Sequence, residues 1–189
     1  DISGGPVHYV SNGNYLDIDA SIVPASGEFA MKNEANLIKS YYPSDLSTSG
    51  VKVVGEDWSM TMGSTSKLIA LSSNGTELSV VEQAGSSEIN GSGAKAIYPN
   101  LFSIASSEYE VNNGFIKNNI VLNSMPSNLP SGTDYLAYSE VITIPNGFVL
   151  KSNEMEMTGE HVISSGLSLV DVQGNAVAAI PVPEVYELN

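Results

Sequence analysis

Apolar and polar positions alternate along most of the chain, in short runs broken by turn residues. Over 15–20, Leu16 and Ile18 fall on one face and Asp17 and Asp19 on the other, the two-residue period of a half-buried strand. Trp58, Met60 and Met62 share a face over 58–62, and runs at 67–71 and 77–83 bracket Asn74-Gly75. The stretch 115–122 is rich in β-branched residues (Ile116, Ile120, Val121), which suits a buried strand. Alternation continues over 135–144, and 167–172 with 176–180 reads as a late hairpin. Asn-Gly pairs occur at 12–13, 74–75, 90–91, 113–114 and 146–147, with a reversed Gly174-Asn175. Asn-Gly accepts the positive φ angles of the turns that close hairpins. Turn signals at this spacing predict an all-β fold, a mainly antiparallel β-sandwich of immunoglobulin-like or jelly-roll-like type.

One segment breaks the pattern. Met31, Ala35, Ile38 and Tyr42 recur at i, i+4, i+7 and i+11, which predicts one short helix over 28–42. Ser26 would cap it, Glu28 would sit in its first turn and Pro43 would stop it. The stretches 85–94 and 123–134 read as loops. One sandwich domain is expected over 11–180, flanked by extended arms at 1–10 and 181–189. Ile2, Val7 and Tyr9 are the apolar anchors of the first arm; Val182, Val185, Tyr186 and Leu188 are those of the second. An extended arm can add itself as a strand to an open sheet edge. If that edge belongs to another copy, the contact runs head to tail and builds an open filament. The residues Leu169-Val-Asp-Val-Gln-Gly-Asn-Ala-Val177 resemble the closing hairpin of bacterial immunoglobulin-like surface domains, a resemblance of hairpin pattern that implies no ligand.

Composition narrows the partners. Of 189 residues 42% are hydrophobic and only 15% charged, against roughly 25% charged in ordinary domains. All seven basic residues are lysines, and 21 acidic residues bring the formal net charge to −14. Nucleic-acid binding depends on cations that neutralise phosphates, so this balance excludes it as an expectation. Cysteine is absent, which removes disulfides, thiol catalysis and thiolate metal sites. No apolar run reaches the ~20 residues of a membrane-spanning helix, so membrane insertion is not expected. The chain begins at Asp1 without methionine, and a mature start after removal of a signal peptide is expected, with a secreted, cell-surface location.

Motifs for catalysis are scarce. His8 and His161 are the two histidines, and neither has metal-ligand spacing. There is no Gly-x-Ser-x-Gly elbow and no phosphate-binding glycine loop. Carboxylates two apart remain: Asp17 with Asp19, Glu108 with Glu110, and Glu154 with Glu156. On one strand face such pairs are about 6.5–7 Å apart at their bases, close enough to share a hard cation. Asp17 and Asp19 are the candidate calcium ligands; the competing reading of each pair is a solvated strand face. Tyr41, Tyr42, Tyr135 and Tyr138 are candidates for stacking on neutral glycans or for a subunit interface. The chain is therefore expected to be a non-enzymatic structural subunit of an extracellular filament, pilus-like fibre or surface layer, a homopolymer joined by strand complementation. The alternative is a secreted adhesin or glycan-binding sandwich, with calcium as its cofactor.

Overall fold

A computed structural model describes residues 5–184. Seventeen strands lie among them: β1 (His8–Ser11), β2 (Asn14–Asp17), β3 (Val23–Pro24), β4 (Met31–Asn33), β5 (Lys39–Tyr42), β6 (Val51–Val54), β7 (Ser59–Leu71), β8 (Glu77–Gln83), β9 (Asn90–Ser92), β10 (Lys95–Phe102), β11 (Ala105–Asn112), β12 (Phe115–Leu122), β13 (Tyr135–Thr143), β14 (Val149–Ser152), β15 (Met155–Glu156), β16 (Leu167–Val170) and β17 (Ala176–Ile180). Every pairing is antiparallel. The fold is all-β, as the alternation predicts.

The sequence reading has one body over 11–180; by packing, the chain divides into two compact units, Asp1–Thr143 and Ile144–Asn189. The larger unit holds a hairpin, β1-β2, a seven-stranded sheet of order β13-β7-β6-β5-β4-β3 with β8 also on β7, and a four-stranded sheet of order β12-β11-β10-β9. The two larger sheets meet through aromatic rings. Tyr42 of β5 stands edge-on to Tyr109 of β11 with centroids 5.8 Å apart and Phe102 of β10 lies 6.3 Å from Tyr138 of β13, while within the four-stranded sheet Tyr98 of β10 lies 6.2 Å from Tyr109. Such edge-to-face pairs add about 0.5–1.5 kcal/mol each beyond their buried area. Around them Leu46, Val51, Leu68, Leu101 and Val111 are buried, giving a sandwich core. Alternation along β11 is strict at its far end, with Tyr109 and Val111 inward and Glu108 and Glu110 outward. Trp58 lies against Gly55, in a turn closed by the Gly55 amide donating to the Trp58 carbonyl at 3.0 Å.

The second unit is a four-stranded sheet, β15-β14-β16-β17. Leu167, Leu169 and Val170 of β16 supply its buried apolar positions. Its β16-β17 hairpin turns around Asp171, whose carboxylate accepts the amides of Gln173 at 2.9 Å and Asn175 at 2.8 Å.

The helix predicted over 28–42 does not form. That segment holds β4 and β5 instead, which pair as Met31↔Tyr42, Lys32↔Tyr41 and Asn33↔Ser40. In β5, Ser40 and Tyr42 are buried while Lys39 and Tyr41 are partly exposed, a period of two that the four apolar residues at helical spacing obscured. Two buried asparagines hold the segment in place. Asn33 donates to the carbonyls of Asp19 at 2.7 Å and Ser21 at 2.9 Å. Asn36 donates to Asn112 O at 2.8 Å and accepts the amides of Leu37 at 2.8 Å and Gly114 at 3.0 Å. A helix would carry both side chains away from these backbone groups and leave them unpaired, at roughly 1–3 kcal/mol each.

Candidate functional site

The N-terminal hairpin exposes several apolar side chains, Val10, Tyr15 and Leu16 among them. Asn12 and Gly13 carry φ of 50° and 77°, and the tight turn they make sets the register His8↔Asp17, Tyr9↔Leu16, Val10↔Tyr15 and Ser11↔Asn14. Opposed residues share a face, so Val10 and Tyr15 lie together; they are 59% and 80% exposed. Beside them His8 Nε2 meets Asp17 Oδ1 at 3.0 Å. Leu16 and Val7 are exposed as well. The base of the hairpin is tied down by Ile18 N donating to Val7 O at 3.0 Å and Asp19 N donating to Ala35 O at 2.9 Å. Among the described strands no third one joins it, and a two-stranded hairpin alone in water is marginal.

The residues named from sequence fall as follows. Val7 precedes β1, Tyr9 lies within it, and Val182 follows β17 and is exposed. Ile2, Val185, Tyr186 and Leu188 lie outside the described residues. Asp17 ends β2 and Asp19 lies beyond the strand. Asp17 faces His8, whereas Asp19 Oδ1 accepts the Ser21 amide at 2.9 Å. Hydrogen bonds from Ser21 hold the Asp19 carboxyl below the usual range. Among the described residues no group of three or more His, Asp or Glu is placed to hold a metal ion. Glu110 pairs with Lys95 at 3.7 Å on the outer face of its sheet. Glu154 occupies the turn between β14 and β15 at φ 66°, so it shares no strand face with Glu156. Of the tyrosines considered for stacking, Tyr42 is buried, Tyr41 donates to Glu34 at 2.7 Å, and Tyr138 is bound to Ser66; Tyr135 is exposed.

Sequence reasoning missed the most perturbed carboxyl. Glu140 of β13 takes a hydrogen bond from the Tyr138 hydroxyl at 3.3 Å, and that hydroxyl also meets Ser66 Oγ at 2.9 Å. Ser66 Oγ in turn donates to Gly63 O at 2.7 Å. Burial pushes the Glu140 carboxyl up to about 7, against the lowering effect of hydrogen bonds from Tyr138 and the Gly63 backbone. Burial also raises Tyr138 and Tyr109 well above the ordinary phenol range. Gly63 sits at φ 85° inside β7, and a Cβ there would lie 2.7 Å from the Tyr109 hydroxyl. That hydroxyl is fully buried without a hydrogen-bond partner. Hydroxyl and backbone groups bind Glu140, and its carboxyl passes between neutral and charged forms around neutral pH. The signal available in the sequence was Tyr138 and Glu140 on one face of a long alternating strand.

Comparison with protein-family models, with curated proteins and with solved structures returned no match. Among the described residues no helix is long and apolar enough to cross a membrane.

Proposed function

We propose that the chain is a structural subunit of an extracellular filament, pilus-like fibre or surface layer, a homopolymer assembled by β-strand pairing between copies. The observation that carries this reading is the β1-β2 hairpin, which presents Val10, Tyr15 and Leu16 to solvent with no third strand beside it among the described residues. A hairpin of this kind gains stability when another strand or face covers it. Low charge density on the sheets supports the same reading, because main-chain pairing and apolar contact tolerate salt where ion pairs do not.

The test is the mass of native full-length chain by light scattering, with electron microscopy of the same material. The expected result is mass well above the monomer, lowered in a Val10→Ser, Tyr15→Ser variant whose far-UV circular dichroism matches the parent. A native chain that stays monomeric at high micromolar concentration would sink the proposal. A glycan-binding role draws its support from exposed Tyr135 and Tyr15 alone, and chelator-sensitive retention on a glycan array would favour it.

A further inference from the structure

We infer that Asn12 is a site of self-modification, where the amide of Gly13 closes on the Asn12 side chain to a cyclic imide that water opens to aspartate or isoaspartate. The inference concerns covalent chemistry at the tip of the β1-β2 hairpin. It holds whether or not that hairpin joins copies of the chain.

Asparagine is chemically labile, most so before glycine, whose missing Cβ lets its nitrogen approach the preceding side chain. Five such pairs occur, at 12–13, 74–75, 90–91, 113–114 and 146–147, and the fold treats them unequally. Gly75 N donates to Ser72 O at 2.9 Å, while Asn74 Oδ1 accepts Ser72 Oγ at 2.6 Å and Thr76 N at 3.1 Å. Attacking nitrogen and target amide are both engaged there. Gly114 N donates to Oδ1 of buried Asn36 at 3.0 Å. Asn90 and Gly91 lie within β9, opposite Ile97 and Ala96, and the ladder resists the backbone rotation that would bring Gly91 N onto Asn90 Cγ. Asn146 and Gly147 are exposed, but a Cβ at Gly147 would lie 3.5 Å from Val172, so that turn rests on a neighbour.

Asn12-Gly13 has none of these restraints. Both residues are exposed, and a Cβ at Gly13 would meet nothing within 4 Å. Among the described residues no hydrogen bond engages Gly13 N or the Asn12 side chain. Asn14 Nδ2 donates to Asn12 O at 3.3 Å, and a donor at that oxygen stabilises the charge reaching it when Gly13 N loses its proton. The turn must open for the ring to close, and a two-stranded hairpin with few contacts opens at little cost.

The step balances with water as the sole co-reactant and no electron transfer. A solvent base takes the proton of Gly13 N, which bonds to Asn12 Cγ; the Cγ–Nδ2 bond breaks and ammonia leaves, carrying a proton from solvent. Water then adds to one imide carbonyl and breaks the ring bond on that side. Opening at Cγ gives aspartate. Opening at the main-chain carbonyl gives isoaspartate, whose backbone is one atom longer and no longer fits the two-residue turn that sets His8 against Asp17.

The test is full-length chain held at pH 8 and 37 °C, with peptide mapping by mass spectrometry that separates aspartate from isoaspartate at each of the five sites. Asn12 should convert fastest, roughly five-fold or more ahead of Asn74 and Asn113, whose reacting atoms carry hydrogen bonds. In concentrated urea that lead should vanish. Asn36→Ala, which frees Gly114 N, should raise conversion at Asn113 and leave Asn12 unchanged. Equal rates at the five sites of the native chain overturn the inference. So does any other site leading, or conversion at Asn12 that appears only in urea.

Discussion

Single side chains set most of the measurable behaviour of the larger unit, Glu140 above all. Its folded carboxyl titrates near 7 and an ordinary one near 4.5. Below 4.5 both folded and unfolded states are protonated and the group has no effect. Between 4.5 and 7 the unfolded chain ionises while the folded one keeps its proton, so stability falls as pH rises, by up to about 3 kcal/mol. Denaturant titrations at pH 5 and pH 8 should therefore show Glu140→Gln losing less stability than the parent over that interval. Equal losses would mean the carboxyl is not held as described. Asp45 behaves in the opposite sense. Burial works to raise its carboxyl, but hydrogen bonds from Ser86, Ser47 and the Ser87 amide outweigh it and hold the group low. Its Oδ1 accepts Ser47 N at 2.9 Å, Ser47 Oγ at 2.8 Å and Ser87 N at 3.3 Å, while Oδ2 accepts the Ser86 hydroxyl. The two segments it clasps also meet in the Asp45↔Glu88 bridge. Asp45→Ala should cost about 1–3 kcal/mol, the toll of leaving those donors unpaired, read as a lower melting temperature at pH 7.

Strands and turns show how far local pattern reaches. β8, β12 and β17 were legible to the residue, because alternation or β-branching runs through each and a turn closes it; the burial expected over 115–122 is not found, since every residue of β12 is exposed or only partly covered. β10 and β11 were not singled out, although they carry Tyr98, Phe102 and Tyr109 into the core. Pro99 interrupts the first, and the second buries Ser106 and Ser107 where a hydrophobic pattern is sought. Asn90-Gly91 misleads in another way. It lies within β9 rather than in a turn, and a Cβ at Gly91 would overlap the end of the Met31 side chain; the glycine serves close packing there. The helical expectation failed because Asn33 and Asn36 act through distant backbone groups that no window of sequence contains. Asn36→Ala should destabilise the larger unit by roughly 2–3 kcal/mol and speed hydrogen exchange at the Gly114 amide, in the turn before β12, with exchange within β12 less affected. Gly63→Ala should cost more than Gly75→Ala by chemical denaturation. Both glycines have positive φ, but a Cβ at Gly75 meets nothing within 4 Å whereas one at Gly63 strikes the Tyr109 hydroxyl.

At the level of the whole molecule, charge and contact geometry compete. A surplus of 14 negative charges repels neighbouring copies over about 30 Å at 0.01 M salt and about 8 Å at 0.15 M. Association through uncharged strands should strengthen as salt is added, and light scattering across that range checks it; dissociation by salt would point to ion pairs instead. The calcium and glycan expectations resting on Asp17, Asp19 and the tyrosines share no comparable cluster of groups. Trp58, packed on Gly55, has a practical consequence of its own. It is the sole indole of the chain and lies in the larger unit, while 144–189 contains no tryptophan. Tryptophan emission thus watches one part of the polypeptide and is blind to the other, so a melting curve followed by that emission and one followed by circular dichroism will superimpose only if both parts let go at once.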